Sequence, residues 1–238
     1  MKDLKGSLLD IIYPRRCAVC DLVLPFGQKY ICKACKLKLI RVKEPRCVKC
    51  GRPLTKIGEE YCKACTKARH EFTCGLSLFM YNDAMRESIF RFKYGGRQEY
   101  AEFYAFAIAK YLKREICGFN ADAIIPVPLH ESRLKERGYN QSELISERLG
   151  KLLDIPVQSH LVSRIKNTKP QKKLNSIERR KNLKKAFKYE RNVVQLKSVI
   201  VFDDIYTTGS TIDSLSLVLK EAGVKNVFFI TLSTGTPI

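Results

Sequence analysis

No stretch of this 238-residue chain approaches the roughly 18 consecutive apolar residues of a membrane span, which argues against insertion into a bilayer. The amino-terminal MKDLKGSLLDIIYPRR has acids inside its short apolar run and lacks a small-residue cleavage site, so it does not read as a signal peptide. A soluble, cytoplasmic protein is expected. Two nucleotide motifs are missing as well. There is no G-x-x-x-x-G-K-[ST] and no G-x-G-x-x-G, which removes the usual sequence evidence for a P-loop or dinucleotide-binding fold. Acidic residues are scarce in two places: residues 1–74 hold 17 Lys/Arg against 7 Asp/Glu, and residues 164–191 hold 12 against 2. Elsewhere there are 15 of each, so the formal charge of +20 sits in two patches of +10. Localised charge of this kind is the electrostatic footprint of a polyanion partner. The 45% hydrophobic content supports an ordinary core, and the length allows one medium domain, or one plus a small module.

Cysteine, by contrast, is plentiful. Eight of the ten cysteines form four C-x-x-C pairs: Cys17/Cys20, Cys32/Cys35, Cys47/Cys50 and Cys62/Cys65. Eleven residues separate the first pair from the second and the third from the fourth, and the whole pattern repeats at an offset of 30. Four thiolates in two knuckles suit tetrahedral Zn²⁺, so two structural zinc sites are expected. Disulfides conflict with a cytoplasmic location, and a redox pair does not need four copies in register. The short Lys-rich segment has few large apolar side chains, and metal binding would supply the folding free energy it lacks. The ligands can group sequentially or interleave. Cys74 and Cys117 are read as small buried hydrophobes, and His70 as surplus to the ligand set. Eight thiolates with two Zn²⁺ bring the formal +20 to about +16, which leaves 164–191 the stronger anion attractor.

The most telling segment is Val199–Thr211, VIVFDDIYTTGST. Val199 to Phe202 has the length and composition of a buried strand, which is expected to stop at Asp203 and Asp204. Thr207, Thr208, Gly209, Ser210 and Thr211 then lead into a helical pattern at Ile212, Leu215 and Leu219. Backbone N–H groups and hydroxyls at such a helix start donate to phosphate oxygens, and the helix dipole favours the anion. The two carboxylates are placed for sugar hydroxyls, or for a Mg²⁺ carried by the phosphates. The segment resembles the signature by which type I phosphoribosyltransferases bind 5-phosphoribosyl 1-pyrophosphate (PRPP).

Around it, a strand at 199–203, a helix at 210–222 and a strand at 226–232 form a right-handed crossover between parallel strands, with Gly223 closing the helix. Ala123–Pro128 reads as a second buried strand running into a rigid turn. Residues 130–139 form the loop after it, and a helix capped by Asn140 runs to about Leu153. Arg133 and Arg137 sit between strand end and helix start, where an open α/β sheet binds ligands and where a pyrophosphate leaving group needs cations. Helices are expected from about Asp83 to the Tyr94-Gly95-Gly96 break and from 98 to 114, and a strand at 157–165. Residues 79–111 hold ten of the 23 aromatics, most of them core, with Tyr94 the best candidate for stacking on a base. Lys172, Lys173, Arg179, Arg180, Lys184 and Lys185 belong to a basic arm beside the phosphate site, suited to a lid or a nucleic-acid contact.

Several segments together resemble the ComF competence family: the repeated C-x-x-C module, PVPLHESRLKERGYNQ (126–141), R-x3-T-x-P-Q-x2-L-x4-R-x2-N (164–182) and VIVFDDIYTTGST. The likeness implies a type I phosphoribosyltransferase α/β fold over 75–238 behind a double zinc ribbon over 1–74, and a role in natural transformation on incoming single-stranded DNA. It further implies that Asp203, Asp204, Thr207, Thr208, Gly209, Ser210 and Thr211 bind the ribose 5-phosphate of Mg²⁺–PRPP. Arg133, Arg137 and Gly138 would then lie at the pyrophosphate loop, and Arg164–Asn182 would cover the site. Single-stranded DNA, PRPP and other uptake proteins such as a helicase are the implied partners. Two roles remain open: a DNA-uptake factor with a ribose-phosphate site, or an active transferase with an unidentified acceptor.

Overall fold

The computed structural model describes residues 14–56, 58–166, 186–190 and 195–235. The arm residues Lys172, Lys173, Arg179, Arg180, Lys184 and Lys185, with Asn182, lie outside them. In chain order the elements are α1 (Lys33–Lys38), α2 (Lys63–Lys67), β1 (Gly75–Met80), α3 (Asp83–Tyr94), α4 (Tyr100–Gly118), β2 (Ala123–Pro126), α5 (Glu131–Arg137), α6 (Gln141–Leu153), β3 (Val162–Arg164), β4 (Phe187–Tyr189), β5 (Ser198–Tyr206), α7 (Ser210–Glu221) and β6 (Asn226–Thr234).

A four-stranded sheet runs β1-β6-β5-β2, each neighbouring pair parallel, with Val201 opposite Phe229 on one side and Ile125 on the other. Parallel strands are buried on both faces, which is why β5 reads as an unbroken apolar run. The pleat sends Ile200 and Phe202 into the cluster formed with α3, α4 and α6, and Val199 and Val201 into the one formed with α7. The long helix α6 that comes after β2 therefore lies on one face and α7, which follows the adjacent β5, on the other. A crevice opens between the carboxyl ends of such a strand pair, the position where open α/β sheets bind ligands. This is the α/β arrangement expected, a parallel sheet flanked by helices.

The amino-terminal segment docks on this body. Arg41 bridges Phe79 in antiparallel sense, with the Met80 N–H donating to the Ile40 carbonyl at 2.8 Å and that of Val42 to Leu78 at 2.9 Å. The open edge of β1 is thereby covered. Ala18 packs in the first core cluster, and Cys47, Cys50, Cys62 and Phe72 in the second.

The structure corrects several expectations. β5 does not stop at the acid pair: it runs to Tyr206, because Asp203, Ile205 and Tyr206 stay in register with Thr231, Ser233 and Thr234 of β6. The expected strand over 157–165 is divided. Val157 bridges Ile124, and only Val162–Arg164 pairs, with Phe187–Tyr189. Residues 131–137 form a short helix rather than a loop. His130 Nδ1 accepts from the Ser132 N–H, Lys135 pairs with Glu131 one turn away, and Gly138 closes the helix at φ +81°. Cys117 is exposed and Cys74 half-buried, so the reading of both as core hydrophobes fails for Cys117. Of the aromatic run, Phe79, Phe92, Tyr100, Phe103 and Tyr104 are core, while Tyr94 is 58% exposed.

Candidate functional site

At the carboxyl end of β5 the two aspartates have different surroundings. Asp204, in step with Phe202, reaches the α3–α6 face. Its Oδ2 lies 2.5 Å from Lys93 Nζ and accepts from Gln141 Nε2 at 3.1 Å. Burial alone would pull the Lys93 ammonium down, but the Asp204 carboxylate overrides it and holds it above its ordinary value. Gln141 accepts in turn from Arg137 Nη1, and the Arg137 guanidinium lies 5.0 Å from the centroid of the Tyr94 ring. A chain of polar pairings thus joins Arg137, Gln141, Asp204 and Lys93. Neither Lys93 nor Gln141 stands out in the sequence. The one hint is that Lys93 adjoins the Tyr94-Gly95-Gly96 break.

Asp203 keeps its Oδ1 on the Asp204 N–H at 2.9 Å. Burial, reinforced by the Asp204 carboxylate, pushes it up to about 7, with Lys93 and Arg164 acting the other way. The folded chain therefore holds this proton more tightly than the unfolded one does. The resulting stabilisation is complete below the ordinary carboxylate range and is lost as pH rises towards 7. Asp203→Asn is expected to gain stability relative to wild type between about pH 4 and pH 7, by up to ~1.4 kcal/mol per pH unit. Urea denaturation of both proteins across that range checks this, and parallel stability profiles contradict it.

Arg164 reaches the same place because His130 and Arg164 are paired across the β3 end. Burial pushes the Arg164 guanidinium down, the like charge of Arg133 adds to this, and Asp203 opposes it. Lys93 and Arg164 thus act on the acid pair, Arg137 reaches it through Gln141, and Arg133 lies near Arg164. The sequence singles out Arg133 and Arg137, gives Arg164 only as the start of a covering segment, and does not point to Lys93. Beyond β5, Gly209 takes φ +78° at the N-cap of α7, a conformation that side chains other than glycine's rarely adopt. Thr207 and Thr208 are exposed, Gly209 is buried, and Ser210 and Thr211 are half-buried. Thr208 Oγ1 donates to Ser210 Oγ at 3.0 Å. The first helical bond runs from the Asp213 N–H to the Gly209 carbonyl, so the N–H groups before it have no partner inside the helix. The predicted phosphate turn and acid pair are brought together; the arm residues lie outside the described chain.

The cysteines resolve the grouping. Cys17, Cys20, Cys32 and Cys35 form one cluster and Cys47, Cys50, Cys62 and Cys65 the other, with the sulfurs of each within 4.8 Å of one another. All ten cysteines are free of disulfides. Tetrahedral Zn–S bonds of about 2.3 Å place sulfurs about 3.8 Å apart. Cys20 and Cys32 are 3.9 Å apart, and Cys50 and Cys62 are 3.6 Å apart. The two clusters fit two zinc sites. Asp21 and Gly51 follow the first knuckle of each ribbon at φ +64° and +69°, and the Cys32 N–H points at Cys17 Sγ. His70 bonds Asp213 and is not a ligand.

Residues 8–66 match the double zinc ribbon domain. Over 221 residues, 90% of this chain, the sequence is 30% identical to the DNA utilization protein YhgH of Salmonella typhimurium, covering 94% of that protein. Competence protein ComFC of Bacillus subtilis is 29% identical over 81% of this chain and 79% of its own length. Competence protein F of Haemophilus influenzae is 43% identical over 108 residues, which span about half of it (47%) and 44% of this chain. A purine phosphoribosyltransferase from Pyrococcus horikoshii overlaps 57% of this chain and 73% of its own at 20% identity, a loose likeness with a TM-score of 0.34. Among the described residues no helix is long and apolar enough to cross a membrane. Similarity to YhgH over nearly the whole of both chains and to ComFC over about four fifths of each, with the double zinc ribbon in front, places this chain in the ComF family.

Proposed function

We propose that this chain is a cytoplasmic DNA-uptake protein, with a ribbon module over 1–74 and a phosphoribosyltransferase-like domain over 75–238, that binds single-stranded DNA and holds PRPP in the crevice beyond β5. The observation that carries the ligand reading is the Gly209 turn opening α7 beside Asp203 and Asp204, where two adjacent parallel strands send their helices to opposite faces. The Ser210 and Thr211 amides, with the hydroxyls of Thr207 and Thr208, take the 5-phosphate. Asp203 and Asp204 take the ribose hydroxyls, with Lys93 and Gln141 fixing the Asp204 carboxylate in place. Arg133, Arg137 and Arg164 face the pyrophosphate. The DNA reading draws on the names of the relatives, competence and DNA utilization proteins, and on the two basic patches.

The second reading is an active transferase, favoured by the intact acid pair and the cations Lys93 and Arg164 that act on it. There the bond from ribose C1 to pyrophosphate breaks with its electrons leaving on the pyrophosphate, positive charge develops at C1, and an acceptor lone pair forms the new bond to C1. Fixed charges stabilise the separating fragments without a covalent enzyme nucleophile. Mg²⁺ arriving on the pyrophosphate would neutralise leaving-group charge, with Asp203 the carboxylate open to hold it.

Single-strand binding is tested on the arm. Reversing Lys172, Lys173, Lys184 and Lys185 to Glu is expected to weaken oligonucleotide binding steeply and to flatten its salt dependence, by about 0.7 in log–log slope for each phosphate the arm no longer neutralises. An unchanged slope takes the arm out of the DNA path. A pyrophosphate-release screen across bases and oligonucleotides decides whether turnover accompanies binding.

A further inference from the structure

The two cysteine clusters differ in what lies behind them. Cys17 and Cys35 share a small apolar cluster with Val19 and Leu24. Cys47, Cys50 and Cys62 belong instead to the buried layer of Phe72, Tyr206, Ile212 and Phe229, directly under the glycine turn.

Two links run from the second ribbon to that turn. Arg52 closes a knuckle, its carbonyl accepting from the Cys47 N–H at 2.7 Å. Its guanidinium, on a residue only 8% exposed, lies 4.9 Å from the centroid of the Tyr206 ring, and its Nε donates to Thr234 Oγ1 at 3.3 Å. Tyr206 in turn props the turn: a Cβ built on Gly209 would lie 2.7 Å from its hydroxyl oxygen. The second link leaves the ribbon after Cys65. His70 Nδ1 lies 2.8 Å from Asp213 Oδ2, and the Glu71 N–H donates to Oδ1 at 2.8 Å. Asp213 is in the first turn of α7, where a loose carboxylate competes with an incoming anion for the helix N-terminus. Held by His70 and Glu71, it is kept on the ribbon side. The first ribbon instead bonds to α3 and α4, through Arg91 to the Val19 carbonyl and through Arg97 and Tyr100 to Asp21.

We propose that the second zinc site positions the phosphate turn: Arg52 and His70, fixed by the metal-closed ribbon, hold Tyr206 and Asp213 so that the α7 amides face the ligand. This rests on the reading of that turn as the PRPP site. Linkage is reciprocal, so PRPP must tighten the second zinc by the factor by which that zinc tightens PRPP.

The test is chelator competition on the full-length, zinc-loaded protein, with and without saturating PRPP and Mg²⁺. One of the two zinc ions is expected to gain affinity by about fivefold or more. Cys20→Ser, which disables the first cluster, keeps the gain, and Arg52→Ala loses it. Should Arg52→Ala not fold, His70→Gln carries the same expectation. Equal tightening of both ions marks general stabilisation and overturns the proposal, as does no change when calorimetry shows PRPP bound. If PRPP gives no heat with the wild-type protein, the phosphate reading fails first and takes this inference with it.

Discussion

Asp204→Ala is expected to cost about 3–5 kcal/mol of folding stability and to abolish PRPP binding while leaving single-strand affinity nearly intact. The stability loss follows from the pair it breaks. The Lys93 and Asp204 side chains are 19% and 8% exposed, so removing the carboxylate leaves an ammonium buried without its counter-ion. Gln141 loses its acceptor at the same time. The double variant Asp204→Ala/Lys93→Met removes both charges and is expected to recover most of the stability but none of the binding. Urea denaturation of the single and double variants measures the coupling. Additive losses contradict a tight buried pair. Equal loss of DNA binding in Asp204→Ala would mean that strand and sugar share one site.

Stripping the zinc is expected to have the other large effect. Structural zinc in small ribbons contributes on the order of 10 kcal/mol or more of apparent binding free energy, which is folding free energy for a segment without a core of its own. Metal analysis is expected to find about two Zn²⁺ per chain, one for each sulfur cluster. A strong chelator should unfold the ribbons, and hydrogen exchange should then rise at residues 14–74. Loss of the second cluster should reach further, loosening β1 and β6, because Phe72 packs edge-on against Phe229 at 4.8 Å and the Thr73 N–H donates to the Val227 carbonyl. Retention of full protection after both metals are removed would mean that the sulfur clusters are not the structural centres of the ribbons.

How far the sequence could be read follows from how local each signal is. The knuckles, the β5–turn–α7 unit and the Asn140 cap are each written within one short stretch of neighbouring residues, and each forms where its pattern places it, save that β5 runs on past the acid pair to Tyr206. The α5 helix was hidden because seven mostly charged residues carry no apolar stripe; its supports are a histidine cap and a left-handed glycine. The over-long strand at 157–165 failed for a related reason: apolar content does not reveal which residues will find a partner strand. Lys93 and Gln141 could not be found, since their meaning comes from Asp204, 111 and 63 residues further along. The same holds for Arg52, which reads as one more ribbon cation until the fold lays it on Tyr206.

The most direct measurement is isothermal titration of zinc-loaded, full-length protein with PRPP and Mg²⁺. Heat saturating at one ligand per chain, and absent in Asp203→Ala/Asp204→Ala, is the result expected of a ribose-phosphate crevice beyond β5. A silent titration of the wild-type chain would contradict it, and leave a zinc-braced cationic scaffold with no small-molecule site at that turn.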